Sequence, residues 1–337
     1  MAERRRVTIE DVARKAGVST MTISRALNGN GAVSPATRRH VLDVVEELNY
    51  IPSRIARSLT TKQTFTIGLV VPDISNPFFA TVVRGVEDVA WQHHYNILLC
   101  NTVEQPERER SALRLLEETE ADGLILCSPR LPDEQLFPLL QQHQAVVVLN
   151  RPLSGRLADL VRIDDRSGGF QAADHLLRAK RSKPAYLAGP THTYSSQARL
   201  QGIRQAAQAA QVALNPAWQR PCPPTWEGGF DLAKTLLAET RQIDGLICYN
   251  DLIAVGALHA CRQGGLRIPE DIAIIGFDDI LLARMTSPAL TTLGVSKYDV
   301  GAKLMERLIG RMQDQTDLAA RDEIIIQPEL IIRESTP

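Results

Sequence analysis

A stretch near the amino terminus carries side chains suited to contacting DNA base edges. Five positions, Thr20, Met21, Ser24, Arg25 and Asn28, are spaced so that a helix would place them on one side. An arginine on such a surface can donate two hydrogen bonds to O6 and N7 of a guanine in the major groove. The spacing therefore predicts a helix that contacts bases directly.

The flanking residues predict a helix-turn-helix that would position this surface. Thr8 can cap a first helix with Asp11 at the capping-box position, and Gly17 suits the positive φ at which the chain leaves that helix. Ser19 can cap the second helix, and two helices joined by so tight a turn can place the second in a major groove. The inward positions are expected to be Val12, Ala13, Ala16, Ile23 and Leu27. The alternative is a three-helix packing unit without a ligand.

A third helix and a short connector follow. Ser34 and Pro35 supply a cap and a proline at the first helical position. The segment 53–59 is too short to form a stable helix by itself. The apolar face of the third helix is expected to comprise Val41, Leu42, Val45 and Leu48.

Charge is distributed unevenly along the 337 residues. Residues 1–62 hold 11 Lys and Arg against 6 Asp and Glu, and the remainder holds 27 against 33, although the whole chain has a formal net charge of only −1. A basic head on a mildly acidic body favours phosphate contact at one end. The three arginines at 4–6 are candidates for that contact, or else form a solvated tail.

The sequence gives no support for several other classes of protein. It contains no membrane-spanning apolar run and no secretory signal, which predicts a cytoplasmic protein. The five cysteines lack paired or metal-type spacing, so reduced thiols are expected. No nucleophile, metal cluster or phosphate-binding lysine loop accompanies the carboxylates Asp278 and Asp279. We therefore expect neither an enzyme nor a bound metal or cofactor.

From about residue 63, short apolar runs alternate with amphipathic stretches, which is typical of parallel sheets covered by helices. The predicted strands are Thr66–Val71, Asn96–Cys100, Gly123–Cys127, Ala145–Leu149, Ala185–Leu187, Gly245–Tyr249 and Ala273–Phe277. The predicted helices are Phe78–His93, Glu107–Glu118, Gly168–Ala179, Gln197–Ala210, Gly228–Leu237, Leu252–Gln263 and Val300–Met312.

An internal repeat indicates two similar lobes. The run that begins at Asp122, Asp-Gly-Leu-Ile-Leu-Cys, recurs at Asp244 as Asp-Gly-Leu-Ile-Cys. The prediction is an α/β fold whose two lobes leave a ligand-binding cleft between the carboxyl ends of their strands. The late segments 291–295 and 324–332 indicate that the chain crosses between the lobes, so that they interleave.

Residues 8–59 carry a long ordered motif. It comprises Asp11-Val12-Ala13, Ala16-Gly17-Val18-Ser19, Thr22-Ile23-Ser24-Arg25, Val33-Ser34, Thr37-Arg38, Leu48-Asn49-Tyr50-Ile51-Pro52 and Leu59. This segment resembles the DNA-binding head of the LacI/GalR family of bacterial repressors. The resemblance implies a helix-turn-helix domain at 1–50, a hinge helix at 51–62 that folds on the operator, and an effector-binding and dimerisation domain at 63–337. Its leucine wedge for the minor groove falls on Leu59. The implied DNA contacts are Thr8, Ser19, Thr20, Met21, Thr22, Ser24, Arg25, Asn28, Ser34, Thr37, Tyr50, Arg54, Ala56 and Leu59.

The rest of the chain resembles the effector domain of the same family, which is itself similar to periplasmic sugar-binding proteins. The matching landmarks are Pro72-Asp73-x-x-Asn76-Pro77-Phe78-Phe79, Leu187-Ala-Gly-Pro190, Arg199-x-x-Gly202, Asn250-Asp251-x-x-Ala254 and Ile275-Gly-Phe-Asp-Asp279. One departure is the turn 180–184, where the family usually has Gly-His followed by a basic residue. The resemblance implies a homodimer on a pseudo-palindromic operator, because no heptad tail follows the matched region. The implied effector contacts are Asp73, Asn76, Phe78, Phe79, Ser128, Arg151, Ser195, Arg199, Trp226, Asn250 and Asp278.

Several of these residues also have a purely structural interpretation. Asp278 and Asp279 could cap the following helix, Asn250 could be a strand-end turn residue, and Phe78 and Phe79 could belong to the core. Structure at those positions has to decide between the two.

The identity of the effector stays open between several classes. Arg199, with Arg151 and Arg166, would favour a carboxylate or phosphate, because guanidinium groups bind both in bidentate fashion. Asp73, Asp164 and Asp278 could instead neutralise these arginines and leave a site for a neutral sugar. The motif Thr-Met-Thr-Ile-Ser-Arg resembles that of gluconate-type repressors, which favours a sugar acid such as gluconate. The alternatives are a purine or nucleoside effector, a protein partner, or a small-molecule binding protein whose head is incidental.

Overall fold

A computed structural model describes residues 7–28, 33–50, 63–153, 157–313 and 323–337. Its contacts divide the chain into a head unit, residues 1–64, and an effector unit, residues 65–337. The expected hinge at 51–62, with Arg54, Ala56 and Leu59, lies outside the described residues, as do the arginines at 4–6. Among the described residues, no helix is long and apolar enough to cross a membrane.

The head unit contains the expected helix-turn-helix and a third helix. Its elements are α1 (Ile9–Ala16), α2 (Thr20–Asn28) and α3 (Pro35–Glu47). Thr8 and Asp11 form a reciprocal capping box, and Gly17 ends α1 with φ 66°. The buried residues that hold the three helices together are Val12, Ala13, Ala16, Ile23, Ala26, Val41 and Val44.

One residue that was predicted to lie in the core of the head unit is exposed. Leu42 is 45% exposed, and Val44, at 6% exposure, is buried in its place. Val45 and Leu48 pack against the core from partly buried positions, as expected. The helical period of 3.6 residues places 41, 44, 45 and 48 on one face, whereas 42 falls beyond its edge.

The first lobe of the effector unit is a six-stranded parallel sheet in the order β11-β5-β4-β3-β1-β2. Its strands are β1 (Thr66–Val71), β2 (Asn96–Asn101), β3 (Gly123–Cys127), β4 (Val146–Leu149), β5 (Asp159–Ile163) and β11 (Glu323–Ile326). The helices that cover it are α4 (Pro77–Gln92), α5 (Pro106–Glu118), α6 (Asp133–Leu140) and α12 (Lys297–Gln313).

The second lobe repeats this layout in the order β12-β10-β9-β8-β6-β7, and only β12 runs antiparallel to its neighbour. Its strands are β6 (Pro184–Ala188), β7 (Gln219–Pro221), β8 (Gly245–Cys248), β9 (Ala273–Phe277), β10 (Thr291–Gly294) and β12 (Glu329–Ile331). Its helices are α7 (Asp165–Arg178), α8 (Tyr194–Ala209), α9 (Trp226–Glu239), α10 (Asp251–Gln263) and α11 (Leu281–Met285), and a 3₁₀ turn spans Pro216–Trp218.

The predicted interleaving of the lobes is confirmed. The chain passes from one lobe to the other after β5, after β10 and after β11. The closing apolar run at 324–332 is two strands, β11 in the first sheet and β12 in the second. Three crossings between two rigid sheets form a natural hinge for lobe motion.

The internal repeat has the same structural role in both lobes. Asp122 and Asp244 stand just before the central strands β3 and β8, and each carboxylate accepts backbone N–H groups from the segment that enters its lobe. The donors are Phe65 at 2.8 Å for Asp122, and Ser182 and Lys183 at 2.9 Å for Asp244. The repeated aspartate therefore fixes the start of the first strand of each lobe.

All seven predicted strands and all seven predicted helices of the body are present, with ends shifted by a few residues. The strands β5 and β7 were not predicted, because β5 begins at a charged residue and β7 is a three-residue edge strand that ends in proline. The helix α6 was missed because Pro138 lies inside it, and α11 because it has only five residues.

The turn 180–184, where the sequence departs from the family pattern, places a non-glycine residue in a left-handed backbone conformation. Lys180 adopts φ 60°, the left-handed conformation that glycine tolerates best, directly after α7. The following amide of Arg181 donates to the carbonyl of Leu176 at 2.9 Å, which closes the helix end. The strain of a non-glycine residue here is on the order of 1 kcal/mol, which the surrounding turn tolerates.

Close helix packing positions the start of α8 in the second lobe. A Cβ added to Gly169 on α7 would lie 2.1 Å from the carbonyl oxygen of Arg199, and one added to Gly202 on α8 would lie 2.0 Å from that of Arg166. The two helices therefore touch backbone to backbone, which only glycine permits.

We predict that Gly202→Ala lowers the free energy of unfolding of the effector unit by about 1–3 kcal/mol, because the new methyl group must push α7 and α8 apart. The control is Gly310→Ala on α12, where no atom lies within 4 Å of the added Cβ. That substitution should raise stability by up to about 1 kcal/mol through helix propensity. Urea unfolding followed by tryptophan fluorescence suits this comparison, because Trp91, Trp218 and Trp226 all lie in the effector unit. Equal stability of the two variants would contradict the close packing.

Candidate functional site

The exposed face of α2 carries the side chains expected to contact DNA. Thr20, Met21 and Arg25 are exposed, Met21 by 61%, and Ser24 is half-buried. Ile23 and Ala26 point inward and are at most 1% exposed. The helix thus buries one side and leaves a small polar surface with a single guanidinium group free to enter a groove.

Several other predicted DNA contacts cap helices. The Oγ of Ser19 accepts the backbone N–H of Thr22, and the Oγ of Ser34 accepts that of Thr37, both at 3.1 Å. The start of a helix is also where exposed N–H groups favour phosphate. Thr8 is exposed and Tyr50 half-buried, whereas the side chain of Asn28 lies outside the described residues.

A second candidate site lies between the two lobes of the effector unit. We call it the inner cavity; its volume is about 30 Å³. Loops after the carboxyl ends of β1 to β4 and of β6 to β9 all contribute to its wall, as expected for parallel sheets. The lining residues are Asn76, Phe78, Phe79, Glu104, Ser128, Arg130, Asn150, Ser195, Arg199, Pro224, Tyr249, Asn250 and Asp278.

Arg199 forms the buried cationic part of this cavity. Its Nε donates to Asp165 at 2.7 Å, its Nη2 lies 2.7 Å from the same carboxylate, and its Nη1 donates to the carbonyl of Tyr249. The guanidinium group also lies 4.8 Å from the ring centre of Tyr249 and 4.2 Å from that of Phe277. Burial opposes its charge, but Asp165 together with Tyr249, Asp278 and Tyr186 outweighs burial and raises the pKa of Arg199.

Asp278 supplies the opposite charge. It has φ 108°, outside the region that non-glycine residues favour, so its backbone is held under strain by the lobe around it. The Nζ of Lys297 donates to its carbonyl at 2.7 Å. Among the described residues, no hydrogen-bond donor contacts its carboxylate. Burial raises the pKa of Asp278 to about 7, although Arg199 and Lys297 act to lower it.

Eight of the predicted effector contacts line the inner cavity, and some of them are already used structurally. Asn250 caps α10 by accepting the N–H of Ile253 at 2.9 Å and donates to the carbonyl of Pro224 at 3.1 Å. Asn76 likewise caps α4. The rings of Phe78 and Phe79 meet edge to face, 5.1 Å apart, and are both core and cavity wall. The eight are Asn76, Phe78, Phe79, Ser128, Ser195, Arg199, Asn250 and Asp278.

Three predicted contacts do not line the inner cavity. Asp73 is used in the turn after β1, where it accepts the N–H of Ser75 at 2.9 Å. Trp226 is 37% exposed and stacks on Phe230 at 5.3 Å on the outside of the second lobe. The residue that this loop turns into the cavity is Pro224, two positions earlier. The sequence of this loop has no local pattern that shows whether Pro224 or Trp226 faces the cavity.

Arg151 is the third residue outside the inner cavity. It lines a neighbouring, more open cavity of about 510 Å³, which we call the outer cavity. Its guanidinium group pairs with Asp133. Arg166 lies elsewhere again, beside Asp164 and Gln205 in a third depression. The expected grouping of three arginines at one pocket is therefore wrong.

The structure also tests the alternative in which Asp278 and Asp279 only cap the following helix. The helix α11 begins after Ile280 without a side-chain cap. Asp279 instead pairs with Arg284 at 3.0 Å and Arg333 at 2.5 Å. Only Asp278 of this pair faces the cavity.

Sequence analysis missed five lining residues. They are Glu104, Arg130, Asn150, Pro224 and Tyr249. Each directly follows or closely follows a parallel strand, so strand ends are the signal that could have found them. Arg130 is the most consequential, because its side chain is only 4% exposed and carries a charge.

A helix-turn-helix head joined to two interleaved lobes with a charged cavity between them defines a DNA-binding regulator controlled by a small molecule. Comparison with known proteins agrees. The model of the lacI family of bacterial regulatory proteins matches residues 8–53, and that of the periplasmic binding protein-like domain matches residues 173–336.

Relatives match over almost the whole chain. The HTH-type transcriptional repressor PurR of Aliivibrio fischeri strain MJ11 is 35% identical over 338 residues, which covers 97% of this chain and 98% of that protein. The ribose operon repressor of Haemophilus influenzae is 36% identical over 334 residues, with the same coverage. The chain therefore belongs to the lacI family of bacterial regulatory proteins. It is a DNA-binding transcriptional repressor with an effector-binding domain, and these relatives are not enzymes.

Solved structures support the same assignment. The lac repressor dimer bound to operator and the anti-inducer ONPF matches with a TM-score of 0.85 at 26% identity and covers 98% of this chain and 99% of that chain. A complex of the transcriptional regulator CelR with cellobiose matches with a TM-score of 0.74 at 29% identity and covers 98% and 100%. The finer expectation of a gluconate-type repressor stays a prediction.

We predict that Asp165→Asn lowers the free energy of unfolding of the effector unit by about 3 kcal/mol, because it leaves the Arg199 charge buried without its partner. The control is Glu239→Gln, which breaks the exposed pair of Arg220 and Glu239 and should not change stability measurably. Urea unfolding followed by tryptophan fluorescence measures both. A negligible loss in Asp165→Asn would mean that Arg199 does not depend on this carboxylate.

Proposed function

We propose that this repressor is controlled by a small carbohydrate, a sugar acid such as gluconate, bound in the inner cavity. The observation that carries the proposal is the Asp278 carboxylate, a half-buried acceptor without a donor among the described residues, on the same wall as the Arg199 guanidinium. A polyol satisfies both, because each hydroxyl donates one hydrogen bond and accepts others. The apolar edges of Phe78 and Phe79 suit the C–H face of such a ligand.

A purine effector is the second candidate. It is favoured by the relatives named PurR. Trp226 does not line the inner cavity, so stacking on a base falls to the rings of Phe78, Phe79 and Tyr249 on its wall. A purine base gains most from a flat aromatic surface to stack on.

The proposed control of DNA binding follows from symmetry and linkage. Two copies of the chain would place one α2 in each half of a pseudo-palindromic operator. Effector between the lobes would change their relative position about the three crossings, and the segment 51–62, with Leu59 as the wedge, would transmit this change to the head. Coupling of this kind is reciprocal, so operator must alter effector affinity by the same factor as effector alters operator affinity.

We predict that Arg25→Ala removes the preference for one base pair in each half-site, at a cost on the order of 1–3 kcal/mol per half-site. The measurement is a binding-site selection on random DNA followed by titration of the selected sites. The control is Arg14→Ala, an exposed arginine on α1 that pairs with Asp11 at 3.3 Å. It should leave the selected sequence unchanged, and an unchanged sequence in Arg25→Ala would overturn the assignment of that residue.

We predict that the affinity for gluconate falls as the pH is lowered through about 7, the pKa of Asp278 in the ligand-free protein. Ligand hydroxyls donate to the carboxylate, so below this pH binding must first release its proton, and the dissociation constant rises up to about tenfold per pH unit. The charged groups around it are Arg199, Lys297 and Asp165, together with the buried Asp251.

Asp278→Asn tests the origin of this pH dependence. The variant should bind gluconate weakly and should lose the fall in affinity that the wild type shows below about pH 7, by calorimetric titration between about pH 5.5 and 8.5. Its operator binding should stay intact, because the substitution lies in the effector unit. A wild-type affinity that is independent of pH, or a variant that keeps the wild-type dependence of affinity on pH, would show that Asp278 does not contact the ligand.

The same calorimetric titration with guanine in place of gluconate tests the purine alternative.

A further inference from the structure

The loop after β3 contributes to both the inner and the outer cavity, and side chains from two other segments hold it in place. The buried carboxylate of Glu109, on α5, accepts the backbone N–H groups of Arg130 at 2.6 Å and Leu131 at 3.2 Å. The Nη1 of Arg151, after β4, donates to the carbonyls of Pro129 at 3.0 Å and Leu131 at 2.6 Å. Side chains from other elements therefore satisfy the backbone polar groups of this loop and hold it in one conformation.

This framework presents the guanidinium group of Arg130 in one fixed orientation. Its Nε and Nη2 donate to the two carboxylate oxygens of Glu104 at 2.5 and 3.0 Å, and its Nη1 donates to the carbonyl of Ser128. A guanidinium group has five N–H donors, so two have no partner among the described residues. Although this charged side chain is only 4% exposed, two of its donors are therefore available to a ligand or to water.

Arg130 stands where the two cavities meet. Of the described residues, it alone lines both. The inner cavity, at about 30 Å³, has room for little more than a water molecule, so an effector held there must extend beyond it. The outer cavity, at about 510 Å³, has the size of an ordinary ligand pocket. Because Arg130 lines both cavities, an effector that extends from Asp278 into the outer cavity would contact it.

The outer cavity also concentrates basic groups from both lobes. Arg130 and Arg151 come from the first lobe and His192 from the second. Burial and the two arginines lower the pKa of His192, which shows that the three groups act on one another. The carboxylates that balance the arginines, Glu104 and Asp133, lie on the first lobe only.

We propose that Arg130 binds the anionic end of the effector, a carboxylate or a phosphate, at the junction of the two cavities, while the hydroxyl groups of the same molecule bind Asp278 and Arg199. This inference rests on the carbohydrate effector proposed above and adds the residue that distinguishes an acid from its neutral parent. A guanidinium group with two unused donors can bind a second carboxylate or a phosphate oxygen pair as well as Glu104. A neutral sugar has no charged group that could pair with the guanidinium group of Arg130.

The first experiment compares binding of gluconate, glucose and glucose 6-phosphate to the full-length protein by calorimetry. The wild type should prefer at least one of the two acids to glucose by about tenfold or more, and which acid it prefers identifies carboxylate or phosphate. Arg130→Gln should lose that preference, so that the ratio of its affinity for the acid to its affinity for glucose falls by about the same factor.

The matched control is Arg220→Gln. Arg220 also binds a glutamate with two hydrogen bonds, to Glu239 at 2.8 and 2.6 Å, but on the surface of the second lobe. It should keep the full preference for the acid. A thermal unfolding curve for each variant shows whether the protein is folded at the titration temperature.

A second variant gives a result that misfolding cannot imitate. Glu104→Gln keeps the shape of the side chain and removes the charge that competes with the effector for Arg130. It should tighten binding of the preferred acid several-fold and raise the ratio of its affinity to that for glucose. Binding of that acid should also raise the pKa of His192 in an NMR titration, because it brings a negative charge to the outer cavity.

The outcomes separate the two proposals. If the wild type binds glucose at least as well as both acids, the role of Arg130 is wrong and the effector is a neutral carbohydrate instead of a sugar acid. If Arg130→Gln keeps the preference for the acid, the role of Arg130 is wrong and the sugar-acid proposal stands. If Glu104→Gln fails to tighten binding of the preferred acid, the carboxylate does not compete for Arg130 and its role is likewise wrong. If none of the three compounds binds the wild type, both proposals are wrong.

Discussion

The buried ion pair of Arg199 and Asp165 is the interaction on which the effector unit depends. Asp165 begins α7 directly after the chain first crosses between lobes, and Arg199 lies on α8, which touches α7 backbone to backbone. Two charges removed from water are stable only when they satisfy each other. The pair therefore ties the first crossing to the cavity wall, and the rings of Tyr249 and Phe277 enclose it.

Around this pair, the geometry of parallel sheets explains why the remaining polar groups converge. Every strand from β1 to β4 and from β6 to β9 ends at the cleft, so a loop from each can contribute one side chain. The first lobe contributes Arg130 with Glu104, and the second contributes Arg199 with Asp278. A ligand that contacts both lobes stabilises one relative position of them, which is the requirement for a switch.

The head unit obeys a simpler constraint. Its three short helices have only a small core, so caps at Thr8, Ser19 and Ser34 matter as much as burial. The same caps leave N–H groups at helix starts, where phosphates bind favourably. Residues that are predicted to contact DNA therefore also stabilise the head. In the effector unit, Arg199 and Asp165 stabilise the fold, whereas the carboxylate of Asp278 has no hydrogen-bond donor among the described residues.

The sequence by itself determined the elements whose signals are local. Capping at Thr8, Gly17 at a positive φ and most strands and helices of the two lobes were predictable from neighbouring residues. The interleaving of the lobes was predictable from the order of the segments along the chain. Only the tertiary structure decided which loop side chains enter the cavity. It turned Pro224 inward and Trp226 outward, moved Arg151 to the outer cavity and placed Arg130 between the two. The reason is physical: the direction of a loop side chain depends on contacts with distant segments, which no local pattern records.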